Sequence, residues 1–199
     1  MRKVLEPPIN GIGSPAPVSN AELSRFSSVL KRLARAQGEQ RRHFRKVLIS
    51  YLSYSTNAND LIDTLIQDCL VLKSSESFDI AIDVLSQLGE QLQNYAFRYI
   101  QQDMMQFNRL YPERKYVPNE DYWYVLLRSI GKCDGPTEHS LSILSVCQDD
   151  APRAVSEAVV EGLADLDTTA SKSLLASIGS SHKDSFIKAL ASDLLAESK

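Results

Sequence analysis

Apolar side chains recur along most of this chain at intervals of three and four residues. In the last third, Val155, Val159 and Leu163 follow the spacing i, i+4, i+8, which places them on one face of a helix. The same spacing returns 32 residues later, beginning at Ile187. Short helices that recur at about this period are typical of helical-hairpin repeats, in which each unit buries its apolar face only against its neighbours.

The N-terminal half predicts longer helices. Ser19 and Glu22 match a capping box, in which both side chains satisfy free amides at a helix start. We expect this first helix to extend to about Gln37, and two more to span about 39–54 and 59–72. The short connections between them favour antiparallel packing of neighbours.

The longest apolar pattern alternates steps of three and four residues from Phe78 to Tyr99. Such a seam resembles that of a coiled coil and predicts one continuous helix over about 76–110. Gly89 lies off the seam and is unfavourable inside a helix, so a break there into two helices is the alternative. We favour the single helix.

The predicted fold class is all-α, because no segment alternates apolar and polar residues as a half-buried strand does. Residues 1–18 hold four of the eight prolines and predict a flexible tail. Residues 19–111 are predicted to form a helical bundle with a long fourth helix. Residues 119–199 are predicted to add short-helix repeats, which makes 19–199 one continuous domain.

A family resemblance lies within the last third. Residues 150–158 read Asp-Ala-Pro-Arg-Ala-Val-Ser-Glu-Ala, and residues 159–166 read Val-Val-Glu-Gly-Leu-Ala-Asp-Leu. They resemble the Asp-x-Pro-x-Val-Arg-x-x-Ala start and the Ala-Leu-x-x-Leu helix end of HEAT-like repeats, although Ser156 stands where the family has Arg. The resemblance covers about residues 119–199. It implies a right-handed α-α superhelix and a scaffold that binds other proteins, whereas a minority of such families bind nucleic acid or modify a bound cofactor.

Composition narrows the class of protein. The hydrophobic fraction of 43% is enough for a core, and no apolar run approaches the roughly 18 residues of a membrane span. The N-terminus lacks the apolar region of a secretory signal, so we interpret the chain as a soluble cytoplasmic protein, with the nucleus as the alternative. Cys69, Cys133 and Cys147 show no metal-ligand spacing and are interpreted as reduced cysteines.

Basic residues concentrate in one stretch. Between Arg25 and Lys46 there are eight basic residues against one acidic residue, although the formal net charge of the chain is −3. Such a stretch attracts acidic protein surfaces or phosphate groups, or it forms only a solvated helix face. The candidate partner-binding residues within it are Arg35, Arg41, Arg42, Arg45 and Lys46.

Aromatic residues concentrate in the middle of the chain. Nine of the fifteen lie between Tyr95 and Tyr124. Three adjacent rings, Tyr122, Trp123 and Tyr124, cannot all face one core from a single helix, so we expect at least one to be partly exposed. Because Trp and Tyr dominate binding hot spots, these three are further candidate partner-binding residues, with a packing junction as the alternative.

Acidic residues concentrate later, where residues 134–167 hold eight acidic residues against Arg153 alone. Helix caps and helix dipoles explain several of them. The alternatives are a second partner surface or a contact with the basic stretch of another copy of the chain.

Catalysis has little support in the sequence. The three histidines suggest neither a triad nor a metal site, and no glycine loop suited to phosphate follows a strand. We therefore expect no cofactor, no metal and no enzyme activity.

The predicted function is a protein-protein interaction module, an adaptor, inhibitor or assembly factor, that binds an acidic partner through the basic stretch and the aromatic middle. A nucleic-acid-associated protein using residues 25–46 is the alternative, and a cofactor-handling repeat enzyme is a more distant one.

Overall fold

The computed structural model describes residues 19–72, 74–110, 113, 119–146 and 151–197, and every regular element in these ranges is an α-helix. The prediction of an all-α fold is confirmed. The helices are α1 (Asn20–Leu33), α2 (Gly38–Tyr54), α3 (Ala58–Leu72), α4 (Ser75–Ser86), α5 (Glu90–Leu110), α6 (Glu120–Gly131), α7 (Thr137–Val146), α8 (Arg153–Leu166), α9 (Thr169–Ser181) and α10 (Ser185–Glu197). The tail predicted over 1–18 and Cys147 lie outside the described residues.

Side-chain caps set several helix starts, as the sequence predicts. The Ser19 hydroxyl accepts a hydrogen bond from the Glu22 amide at 3.2 Å, and the Asn119 side chain caps α6 in the same way. The first helix ends at Leu33 and not near Gln37. It ends early because the chain turns through residues 34–37, where the side chain of Ala36 is buried in the core.

The prediction of one helix over 76–110 is wrong. The chain breaks between α4 and α5, where Gly89 adopts a left-handed φ of +53° that a residue with a side chain rarely adopts. Leu88 remains buried at the break, which explains why the apolar seam runs through it without a gap.

The even-numbered helices form a row, because each of α2, α4, α6, α8 and α10 packs against the next. The odd-numbered helices pack against this row, α3 between α2 and α4, α7 between α6 and α8, and α9 between α8 and α10. Buried apolar side chains form one continuous cluster from Phe26 to Ala191. The N-terminal helices and the C-terminal helices therefore share a core.

Contacts between neighbouring helices join corresponding parts of the two helices at two steps of the row, as in a parallel arrangement. Arg41 near the start of α2 pairs with Glu76 near the start of α4, at 2.8 Å. Towards the ends of α6 and α8, the two backbones touch: a Cβ at Gly131 would lie 2.3 Å from the Cα of Gly162. Glycine at both positions lets α6 and α8 approach more closely than any pair of side chains would allow.

A substitution at this contact tests the packing of the row. We expect Gly131→Ala to lower the free energy of unfolding by about 1–3 kcal/mol, the usual cost of overpacking, because the new methyl group meets backbone that cannot move alone. Gly179→Ala is the matched control, since its methyl group meets the flexible Ser192 hydroxyl at 2.8 Å. Chemical denaturation measures both, and equal stability of the two variants would contradict the close approach.

Candidate functional site: a basic surface on the first helical hairpin

The basic stretch divides into two groups that face different ways on α2. Arg41 and Arg45 lie one turn apart and face α4. The Arg41 guanidinium donates to Glu76 at 2.8 Å, and Arg45 binds both carboxylate oxygens of Asp83, one of them at 2.8 Å. These two predicted site residues therefore join neighbouring helices, and their side chains remain 41% and 36% exposed.

The remaining basic residues of the stretch face solvent. We call them the outward basic surface: Arg25, Lys31, Arg32, Arg35, Arg42 and Lys46, all exposed. Arg42 pairs with Glu39 of its own helix, but the two side chains are 75% and 85% exposed, and such pairs contribute little to stability. No other acid among the described residues forms an ion pair with this surface. Six exposed cations are thus carried by one helical hairpin.

Two of the three adjacent rings at 122–124 belong to the core. Tyr122 and Trp123 are both buried, so the prediction that they contact a partner is wrong. Both rings face inward because α6 is enclosed by α4, α5, α7 and α8. Tyr124 is half-buried, in agreement with the expectation that one of the three rings is partly exposed. The basic and aromatic candidates therefore do not form one surface.

Tyr122 belongs to a polar junction of three helices that the sequence does not reveal. Its hydroxyl donates to the Asp63 carboxylate of α3 and lies 2.5 Å from the Tyr95 hydroxyl of α5. The Tyr95 hydroxyl also donates to Asp63, at 2.5 Å. The Tyr99 ring stacks on the Tyr122 ring with centroids 4.6 Å apart. Nothing in the sequence sets Asp63 apart from the other polar residues of α3.

Burial determines the protonation of this junction. Burial raises the pKa of Tyr122 above the ordinary range of a phenol, and the neighbouring Tyr95 and Asp63 add to the effect. The pKa of Tyr95 is raised for the same reasons, burial first and the Asp63 acceptor second. Burial and the nearby carboxylates raise the pKa of Tyr99 to about 12. All three phenols therefore stay neutral hydrogen-bond donors at neutral pH.

The acidic residues of α8 are also largely engaged. Arg128 of α6, only 14% exposed, binds Glu161 at 2.8 Å and Asp165 at 2.6 Å. Burial and the charge of Glu161 raise the pKa of Glu157, one turn earlier. At the start of α10, a hydrogen bond from Arg153 lowers the pKa of Asp184. This part of the acidic region stabilises helix packing.

Two exposed apolar features were not predicted. The Tyr54 ring at the end of α2 is 87% exposed and borders a shallow groove with Tyr51 and Glu22. A second groove, about 200 Å³, lies between α5 and α7 and contains the half-exposed Phe97 ring. Both rings lie outside the line of buried apolar residues on α2 and α5. That position is the only sequence signal that could have predicted their exposure.

No obvious reaction centre exists among the described residues. They contain no group of three or more His, Cys, Asp or Glu side chains that could hold a metal ion. Cys69 and Cys133 are both buried, and burial raises the pKa of the Cys69 thiol to about 12, which keeps it a poor nucleophile. No described helix combines the length and the apolar character needed to cross a lipid bilayer.

The chain shows no detectable similarity to the known protein families, curated proteins and solved structures with which it was compared. Its function must therefore be inferred from its own residues, and the outward basic surface is the strongest candidate site.

The polar junction predicts how stability depends on pH. The unfolded chain ionises its tyrosines near pH 10, whereas the buried phenols resist ionisation, so their contribution to stability is present below about pH 10 and is lost as the pH rises further. Between about pH 10 and 11.5, we expect the free energy of unfolding to fall less steeply in Tyr122→Phe than in the wild type, by about 1 kcal/mol per pH unit. Urea denaturation across this range measures the slopes.

The matched control is Tyr54→Phe, which removes a phenol that is 87% exposed. Its slope should equal that of the wild type. If Tyr122→Phe also kept the wild-type slope, the buried junction would be contradicted.

Proposed function

We propose that this chain is a non-catalytic protein-protein interaction module that binds an acidic partner through the outward basic surface. The observation that supports the proposal is the division of charge on α2, where Arg41 and Arg45 are engaged by α4 while Arg42 and Lys46, one position further along, face solvent. Exposed cations grouped in this way steer acidic partners and supply charge complementarity at an interface.

The architecture supports a binding role. A row of parallel helices covered by a second set is the arrangement of helical-repeat scaffolds, which present extended surfaces and whose repeats contact only their neighbours. We extend the HEAT-like interpretation of residues 119–199 to this row as part of the proposal. An adaptor, an inhibitor and an assembly factor would each use such a surface.

A protein partner fits this surface better than a nucleic acid does. Single-stranded nucleic acids are bound by combining cations with exposed rings on which bases stack. Within the basic stretch, Phe26 is buried and Phe44 is half-buried. The exposed Tyr54 ring lies about two turns beyond Lys46, at the end of α2, so the cations of the stretch have no stacking ring among them. Binding to duplex nucleic acid through phosphate contacts is the alternative outcome of the experiment below.

The test reverses the outward charges and leaves the paired ones in place. The full chain and its Arg42→Glu/Lys46→Glu variant are used to capture proteins from extracts of the producing cells, with and without nuclease treatment, and the captured proteins are quantified by mass spectrometry. We expect the partner to be reduced about tenfold or more, which corresponds to a loss of about 1.4 kcal/mol. The fold should persist, because both side chains are exposed.

The control variant, Arg109→Glu/Lys132→Glu, reverses two exposed charges elsewhere and should retain the partner. Equal capture by all three proteins would reject the basic surface as the binding site. Capture that vanishes after nuclease treatment would replace the protein partner with nucleic acid.

A further inference from the structure

The groove between α5 and α7 has the features of a site for a small molecule. Its volume of about 200 Å³ is below the roughly 300–1,000 Å³ of pockets for larger ligands, so it has room for one or two rings. The described residues that line it are Gln93, Asn94, Phe97, His139, Ser142 and Ile143. They include no Asp, Glu, Lys or Arg, so they offer no counter-charge to an ionic ligand. The groove therefore favours an uncharged molecule.

The apolar part of the groove is formed by Phe97 of α5 and Ile143 of α7. Ile143 is buried, whereas the Phe97 ring is half-exposed, although Ala96 and Ile100 on the same helix are buried. An exposed ring offers a flat apolar surface on which another aromatic ring packs in an offset-stacked or edge-to-face arrangement. This part of the groove therefore suits a flat aromatic molecule.

The polar part of the groove contains a buried acceptor. Gln93 is only 1% exposed, and its Nε2 donates to the Pro136 carbonyl oxygen at 2.9 Å and to the Ser140 hydroxyl at 2.8 Å. Because a carbonyl oxygen only accepts, this contact identifies which end of the carboxamide is the nitrogen. The Gln93 Oε1 has no hydrogen-bond partner among the described residues. A buried acceptor without a donor is costly, so this oxygen favours a ligand that brings an N–H group.

The Gln93 carboxamide is held from two sides. Its two hydrogen bonds join it to the start of α7, and it packs against the preceding loop, where a Cβ at Gly135 would lie 2.4 Å from the Gln93 Oε1. An acceptor that is fixed in this way does not have to be ordered when a ligand binds. The exposed side chains of Asn94, His139 and Ser142 add further donors and acceptors around it.

We propose that this groove binds a small uncharged aromatic molecule that carries a ring N–H group, such as an indole or a purine base. The ring packs against Phe97, and the ring N–H group donates to the Gln93 Oε1. All six lining residues belong to α5 and α7, so the site is separate from the outward basic surface on the first hairpin. The proposal therefore does not rest on the proposed function.

The test compares indole with 1-methylindole, which lacks the ring N–H group. Each compound is titrated into the full-length protein, to the order of 1 mM, while amide resonances are followed by nuclear magnetic resonance. We expect indole to shift the side-chain amide resonance of Gln93 and the backbone resonances around Phe97. We expect 1-methylindole to bind about fivefold or more weakly, the loss of one hydrogen bond, and to leave the Gln93 side-chain resonance in place.

Phe97→Ala removes the half-exposed ring, so the fold should persist while indole binding weakens about fivefold or more. Tyr54→Ala is the matched control, since it removes an exposed ring elsewhere and should bind indole as the wild type does. A parallel titration with adenine identifies the ring class, because the tighter of the two compounds is the better model of the ligand. Absence of shifts with both indole and adenine, equal binding of indole and 1-methylindole, or unchanged binding in Phe97→Ala would overturn the site.

Discussion

The backbone contact between α6 and α8 is the constraint on which the architecture depends. At Gly131 and Gly162 no side chain separates the two helices, and a Cβ on either residue would meet backbone or the Leu144 side chain within 3.3 Å. The short distance between the helix axes brings Arg128 within reach of both Glu161 and Asp165. Since α6 also contacts α3, α4, α5 and α7, the position of α6 against α8 connects the C-terminal helices to the rest of the molecule.

A polar junction fixes the other side of α6. Tyr95 and Tyr122 supply large apolar rings to the core, and their hydroxyls both converge on one carboxylate, Asp63. A buried hydroxyl without a partner is costly, so α3, α5 and α6 cannot rotate independently without losing these bonds. The burial of Tyr95 and Tyr122, two of the aromatic residues in the middle of the chain, is thus explained by the meeting of three helices.

Periodicity predicts what is buried but not where the backbone turns. The helix class, the cap at Ser19 and the bounds of α2 and α3 to within about one residue follow from local residue chemistry, and they were predicted. The break at Gly89 was considered only as the alternative to a continuous helix, because Leu88 keeps the apolar stepping intact whether the helix continues or turns. Asp63 was missed because its role depends on two hydroxyls, 32 and 59 residues away, that only the fold brings to it.

The sequence identified the basic residues of the candidate site but not which of them face solvent. The reason is the geometry of one helix. Successive residues on an α-helix point about 100° apart. The pairs Arg41/Arg45 and Arg42/Lys46 therefore keep the same spacing while facing different directions. Glu76 and Asp83, which lie seven residues apart on α4, form ion pairs with the first pair. The second pair remains exposed to solvent. One run of basic sequence thus places one pair of cations between the helices and leaves the other pair exposed to solvent. A basic stretch therefore indicates a candidate binding surface only once the residues engaged in internal ion pairs have been set aside.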